Sequence, residues 1–231
     1  MRTRDAWTLV ATLAMAAVPA RVSQGQASDP DRLVKNGGVL VKGWTGRVDP
    51  QAEKGGARLT DARFSDLAGG WLVVAGPPAI YWNPANAAAG DYTASARFNQ
   101  ETPTEHAEYY GLFIGGSQLD RPRQNYLYCA IAGNGTFTVK HRLGDEVHEL
   151  AGRTAHSAIR KVGPSGKASN EVAWRVTGAR TSCLVNGTEV WGYGSASLVG
   201  EGKLESLNGI VGLRVNHNLD VHVTGFAIKR P

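Results

Sequence analysis

Cysteine and methionine are nearly missing from this 231-residue chain, with two of each. So few cysteines exclude a disulfide-dense mini-scaffold and a multi-thiolate metal centre, and leave at most one bridge, between Cys129 and Cys183. Long apolar runs are scarce as well. The longest, Trp7 to Val18, falls short of the roughly 20 residues a membrane-spanning helix needs, so no membrane insertion is expected. Beyond it no helical period of useful length occurs. That removes the strand-to-helix context in which phosphate loops, dinucleotide fingerprints and Gly-x-Ser-x-Gly elbows work. A concentrated basic stripe is also lacking. The net charge of +5 comes from Lys and Arg scattered among strands and turns, which speaks against a nucleic-acid partner.

What is present begins with Arg2 and Arg4, the apolar run, and small residues suited to a signal peptidase after Ala20 or Ala27. Residues 1–27 are therefore expected to be a secretory signal, 28–37 a linker and 38–231 one domain, secreted to the periplasm or the exterior. Removing the leader lowers the net charge to +3, counted from Arg2, Arg4, Arg21 and Asp5. The remaining chain, with most of the 29 glycines between short β-rich runs, predicts one all-β domain, a sandwich or a barrel. Strands are expected over 38–42, 57–64, 70–75, 80–82, 92–98, 109–114, 126–131, 137–142, 172–176, 182–185, 189–191, 209–215 and 219–228.

Two hairpins locate the core. A Gly133-Asn134-Gly135 loop pairs Ile131 with Phe137, Cys129 with Val139 and Leu127 with His141, and puts Tyr126, Tyr128, Lys140 and Arg142 together on the other face. A turn at Ala179-Arg180 sets Trp174 against Val185 and Val176 against Cys183, and Asn186-Gly187 makes the next tight turn. Both cysteines then point inward. Sheets stand about 10 Å apart whereas a disulfide needs Cα atoms within about 7 Å, so two buried free thiols are expected. Asn134-Gly-Thr and Asn186-Gly-Thr match a glycosylation acceptor pattern, but both read as hairpin turns.

From Leu213 to Val223 polar and apolar residues alternate. Arg214, Asn216, Asn218, Asp220 and His222 share one set of positions, and His217 interrupts the other. Unbroken, this is one polar face. A break at Asn216-His217-Asn218 instead leaves His217 in a loop at the rim. Amide, guanidinium and carboxylate groups form directional bonds to vicinal hydroxyls, so Arg214, Asn216, His217, Asp220 and His222, with Tyr126, Tyr128, Lys140 and Arg142, are the candidate carbohydrate-binding residues. An idle, solvated sheet face is the ordinary alternative.

Glycoside hydrolysis needs two carboxyl groups across the scissile bond. Only Glu105, His106 and Glu108 offer a weak catalytic group, just before Tyr109. Asp220 and His222 are too few for a metal ion, no set with metal-ligand spacing is found, and no cofactor is expected, since no motif specifies Ca²⁺. No feature points to a protein partner.

The succession Gly111-Leu-Phe-Ile-Gly-Gly116, Tyr126-Leu-Tyr-Cys-Ala-Ile131, Leu184-Val-Asn-Gly187, and Gly209-Ile-Val-Gly-Leu-Arg214 through Phe226-Ala-Ile228 resembles concanavalin A-like lectin and glucanase jelly rolls of bacterial secreted proteins. The ending looks most like the 3-keto-disaccharide hydrolase-like domain once called DUF1080, where His217 approximates a loop histidine. That resemblance implies an all-β, two-sheet antiparallel β-sandwich, a jelly roll facing sugar. Two departures bear on activity: the Asn-Ser-Gly strand motif of that domain is absent, Tyr110-Gly111-Leu112 standing near its place, and the Glu-x-Asp-x-x-Glu strand of laminarinase-type glucanases is missing. A non-catalytic carbohydrate-binding module is thus the first expectation, with a glycoside-processing hydrolase or a structural envelope protein as alternatives.

Overall fold

Alternation with period two, interrupted by Gly, Asn and Asp, becomes a series of strands in the computed structural model, which describes residues 31–231. The expected leader, residues 1–27, and the first linker residues lie outside the described residues. The strands are β1 (Gly38–Val39), β2 (Thr45–Val48), β3 (Arg63–Leu67), β4 (Gly70–Val74), β5 (Ala79–Ala88), β6 (Tyr92–Gln100), β7 (Tyr109–Ser117) and β8 (Asn125–Ala132). They continue with β9 (Thr136–Leu143), β10 (Glu146–Ala155), β11 (Ala168–Val176), β12 (Arg180–Val185), β13 (Thr188–Gly194), β14 (Gly209–Val215) and β15 (Asp220–Lys229). Helix is confined to α1 (Pro50–Lys54), α2 (Ser195–Leu198) and one 3-10 turn, Leu59–Asp61, among the described residues.

Two sheets form, ordered β1-β3-β4-β15-β6-β11-β12-β13 and β10-β9-β8-β7-β14-β5-β2. Every pairing is antiparallel except that of β1 with β3. The result is an all-β sandwich of two sheets. Its core lies between the sheets, where Trp174, Tyr81, Tyr110, Phe64 and Phe98 are fully buried. Each such side chain stabilises the fold by about 1.5–3 kcal/mol relative to exposure.

The β8–β9 hairpin has the expected register, with Ile131 opposite Phe137, Cys129 opposite Val139 and Leu127 opposite His141. Gly135 takes φ +88°, which only glycine adopts cheaply, and Asn134 Oδ1 accepts from the Thr136 amide at 3.1 Å. Asn186 and Gly187, at φ 51° and 83°, make the tight turn before β13.

The β11–β12 hairpin differs from expectation. Trp174 faces Cys183, and Val172 faces Val185, a two-residue slip. The turn sits one residue earlier than expected because Thr177 and Arg180 close it through backbone and hydroxyl bonds. Residues 57–64 are not one strand: Asp61 Oδ2 accepts from the Arg58 amide at 2.7 Å and stabilises the 3-10 turn instead.

The expected free thiols are overturned. Cys129 and Cys183 form a disulfide, with Cα atoms 6.3 Å apart. Both do point inward, but the average sheet spacing was the wrong yardstick at this place. Trp174, opposite Cys183, donates its indole N–H to the carbonyl of Leu112, opposite Cys129, at 3.0 Å. The indole and the disulfide tie the sheets together side by side.

Candidate functional site

The outer face of the seven-stranded sheet gathers the largest share of the candidate residues. On β8, Tyr126 and Tyr128 point away from Cys129, as alternation requires. They meet Phe113 of β7 and Ile80 and Trp82 of β5 in a second apolar cluster, with Tyr109 and Leu119. Ring centroids lie 5.1 Å apart for Phe113 and Tyr126, and 5.8 Å for Tyr126 and Tyr128. Tyr126 is fully buried and Tyr128 is 6 % exposed, so the expectation that they form an open stacking platform is corrected. The hairpin register put them on the right side, yet their neighbours cover them. Burial pushes the Tyr126 phenol up to about 12, so it stays a neutral hydroxyl at physiological pH.

Over this cluster runs a chain of charged and amide groups. The Arg214 guanidinium lies 5.5 Å from the centre of the Tyr128 ring, within cation–π range. Asp49, at the end of β2, accepts Arg214 Nη1 at 2.5 Å, Arg214 Nη2 at 2.8 Å and Arg142 Nη2 at 2.9 Å. Although Asp49 precedes Pro50 as a helix cap would, its side chain does not cap α1. It neutralises part of the charge of two nearly buried guanidiniums.

Arg214 also donates to Asn216 Oδ1 at 3.2 Å, and Asn216 Nδ2 donates to Glu108 Oε2 at 3.2 Å. Glu108 Oε1 meets His217 Nε2 at 3.0 Å, and the other ring nitrogen of His217 meets Asp31 Oδ1 at 3.0 Å. Both contacts suit the imidazolium. The hydrogen bond that His217 donates to Glu108, aided by the carboxylate's charge and by Asp31 against the cost of burial, raises the His217 pKa to about 9. At the far side of the face Lys140 pairs with Glu149 at 3.2 Å. A depression of about 360 Å³ opens at its other end beside Trp82, Gln118, Leu119 and Ile210.

Tyr126, Tyr128, Lys140, Arg142, Arg214, Asn216 and His217 therefore share one side of the sandwich. Asp220 and His222 do not. The chain breaks between Val215 and Asp220, so β14 belongs to one sheet and β15 to the other. Asp220 pairs with Arg32 on the outer side of the eight-stranded sheet, and His222 stands opposite Leu72 and Asn99. The expected catalytic group is likewise dispersed. Glu105 and His106 are exposed in a loop, while the nearly buried Glu108 carboxylate turns to Asn216 and His217. Sequence reasoning missed Asp49, Asp31 and Phe113 as members of this face.

The class of fold is thus a two-sheet jelly roll with an aromatic and charged outer face. No family model matches the chain, and no curated protein does. Solved structures do. The carbohydrate-binding module CBM66 from Bacillus subtilis aligns over 84% of this chain and 99% of its own, with 9% identity and a TM-score of 0.57. A Bacillus subtilis protein of unknown function with a galectin-like fold aligns over 81% and 89%, with 12% identity and a TM-score of 0.55. The GH43 protein BlXynB from Bacillus licheniformis matches 84% of this chain but 38% of its own, at 12% identity and a TM-score of 0.50. At such identities the likeness is one of fold.

Proposed function

We propose that this chain is a secreted carbohydrate-binding module whose ligand docks on the outer face of the seven-stranded sheet. The observation that carries the reading is the continuous array from Asp31 through His217, Glu108, Asn216 and Arg214 to Asp49, laid along an aromatic cluster. Fixed donors and acceptors suit the hydroxyls of a sugar. Similarity in fold to a carbohydrate-binding module supports the same reading.

Binding is favoured over glycoside hydrolysis by the carboxylates themselves. Glu108 and Asp31 are both engaged by His217, which leaves no matched acid and nucleophile across an open bond site. Export is supported by the leader pattern of residues 1–27 and by the disulfide, since disulfides persist in oxidising compartments.

A glycan array probed with the mature protein tests the reading. One or more oligosaccharides should bind, and His217→Ala should weaken binding about tenfold, or about 1.4 kcal/mol, the scale of a lost charge-assisted hydrogen bond. Asp220→Asn, on the opposite side, should leave affinity unchanged. No glycan bound, or loss with Asp220→Asn but not with His217→Ala, refutes the site.

A further inference from the structure

Among the described residues the one exposed Tyr, Phe or Trp is Tyr193, at 52 % exposure, and it lies far from the covered tyrosines of the outer face. Trp191 and Tyr193 flank Gly192 on β13 and therefore share a side of that strand. Trp191 stands opposite Cys183, which turns this side inward, between the sheets. β13 ends one sheet and β10 ends the other. The gap between these two strands is a groove of about 340 Å³. Small-molecule sites start at about 300 Å³, so the space holds a small ligand.

One wall of the groove is aromatic. Trp191 packs edge-on against the core indole of Trp174, with ring centres 6.1 Å apart and planes at 86°, and is fixed by it. Tyr193 lies parallel to Trp191 within 10°, with ring centres 6.0 Å apart. The other wall is the β9–β10 hairpin, where His141 and His148 stand opposite each other and share a hydrogen bond between their Nδ1 atoms at 3.3 Å. Leu127, Leu198 and Leu204, all buried, form the floor.

The polar groups at the mouth are unspent. Trp174 donates its indole N–H to Leu112, whereas among the described residues neither the indole N–H of Trp191 nor the phenol of Tyr193 has a hydrogen-bond partner. The Trp191 N–H is not sealed from solvent either. Lys203 Nζ donates to the Ser197 carbonyl at 3.0 Å, which holds the ammonium at the groove with N–H groups to spare. Glu149 pairs with Lys140 through Oε2 at 3.2 Å and keeps Oε1 as a free acceptor.

We propose that this groove is a second carbohydrate site, which takes one neutral pyranose ring against Trp191 and Tyr193. A pyranose is apolar across its C–H face and polar around its rim, and the groove has the matching order: apolar wall and floor, donors and an acceptor at the mouth. The rim hydroxyls accept from Trp191 and Lys203 and donate to Glu149, while Tyr193 can do either. A fatty chain would desolvate these groups without pairing them. An anion would meet the Glu149 carboxylate beside Lys203. The site stands on its own residues and does not depend on the outer face, where Arg214 and His217 lie.

Proton–nitrogen NMR of the mature chain, titrated in turn with the methyl pyranosides of glucose, galactose and mannose, tests the groove through the Trp191 indole resonance, assigned with Trp191→Phe. At least one pyranoside should shift that resonance saturably in the millimolar range. Tyr193→Ala, at an exposed position, should weaken the binding about tenfold, the scale of a lost aromatic contact. His217→Ala should leave the shift unchanged, so that failure of the outer face and failure of the groove are read separately. The proposal is overturned if no pyranoside moves the resonance, or if the affinity survives Tyr193→Ala. It is also overturned if sedimentation shows a dimer that Tyr193→Ala dissociates while the pyranosides have no effect, because the occupant is then a second copy of the chain.

Discussion

The two outer faces of the sandwich carry similar residue types and treat them differently. On the eight-stranded sheet Arg97 and Glu171 pair at 3.4 Å with both side chains nearly half exposed, and Arg175 reaches Glu189 at 3.7 Å. Such pairs are screened by water. On the seven-stranded sheet Arg142 and Arg214 are almost wholly buried over tyrosines and depend on one carboxylate, Asp49. Alternation therefore tells which side of a sheet a residue takes. Whether that side is wet depends on what other elements bring to it.

The sharpest way to break this comparison is to remove one acid from each face. Asp49→Ala strands two buried guanidiniums and should cost about 3–5 kcal/mol in guanidinium unfolding. Glu171→Ala should change stability by less than about 0.5 kcal/mol. Equal losses would mean that the two faces are equally solvated.

A second measurement asks how far the sheets depend on each other. The disulfide closes a 54-residue separation, for which chain entropy gives about 4 kcal/mol. Unfolding followed with and without reductant should show a loss of that order, and unchanged midpoints would argue that the indole bond and apolar packing hold the sheets unaided.

The gentlest contrast is between His217 and His141. The folded pKa of His217 is raised to about 9, so its contribution to stability is fully present below about 6.5 and is lost as pH rises through about 9. That of His141 is lowered to about 4; stability is present above about 6.5 and declines as pH falls towards 4. Imidazole resonances followed by NMR should titrate on opposite sides of neutrality, and matching midpoints would contradict either the ion pairing of His217 or the burial of His141.

Much of this architecture was legible in the residues, unevenly and for physical reasons. The β8–β9 register could be read pair by pair because one apolar set and one left-handed glycine agree on it. The β11–β12 slip escaped because a two-residue shift preserves the face, so Cys183 points inward in either register. Strand β10 was missed altogether: it is a charged edge strand whose pairing shifts at two places, at Glu149/Ala151 and Ala151/Thr154. With it went the juxtaposition of His141 and His148, seven residues apart in sequence and neighbours only across that hairpin. The break at Asn216-His217-Asn218 was anticipated, and Asn218 does take φ 53°. Its consequence, that polar residues on either side serve opposite faces, required the sheet assignment. No local pattern links Asp49 to Arg142 or Arg214, because only the packing of β2 against β5 brings it there.

The last twenty-odd residues hold a position out of proportion to their length. β14 sits between β7 and β5 in one sheet, and β15 between β4 and β6 in the other. While the chain is being synthesised, each sheet is therefore missing an interior strand until residues 209–229 have left the ribosome, and its two halves have nothing to zip together. A polypeptide built this way cannot complete either sheet before these two strands arrive, so non-local pairing comes late in its folding.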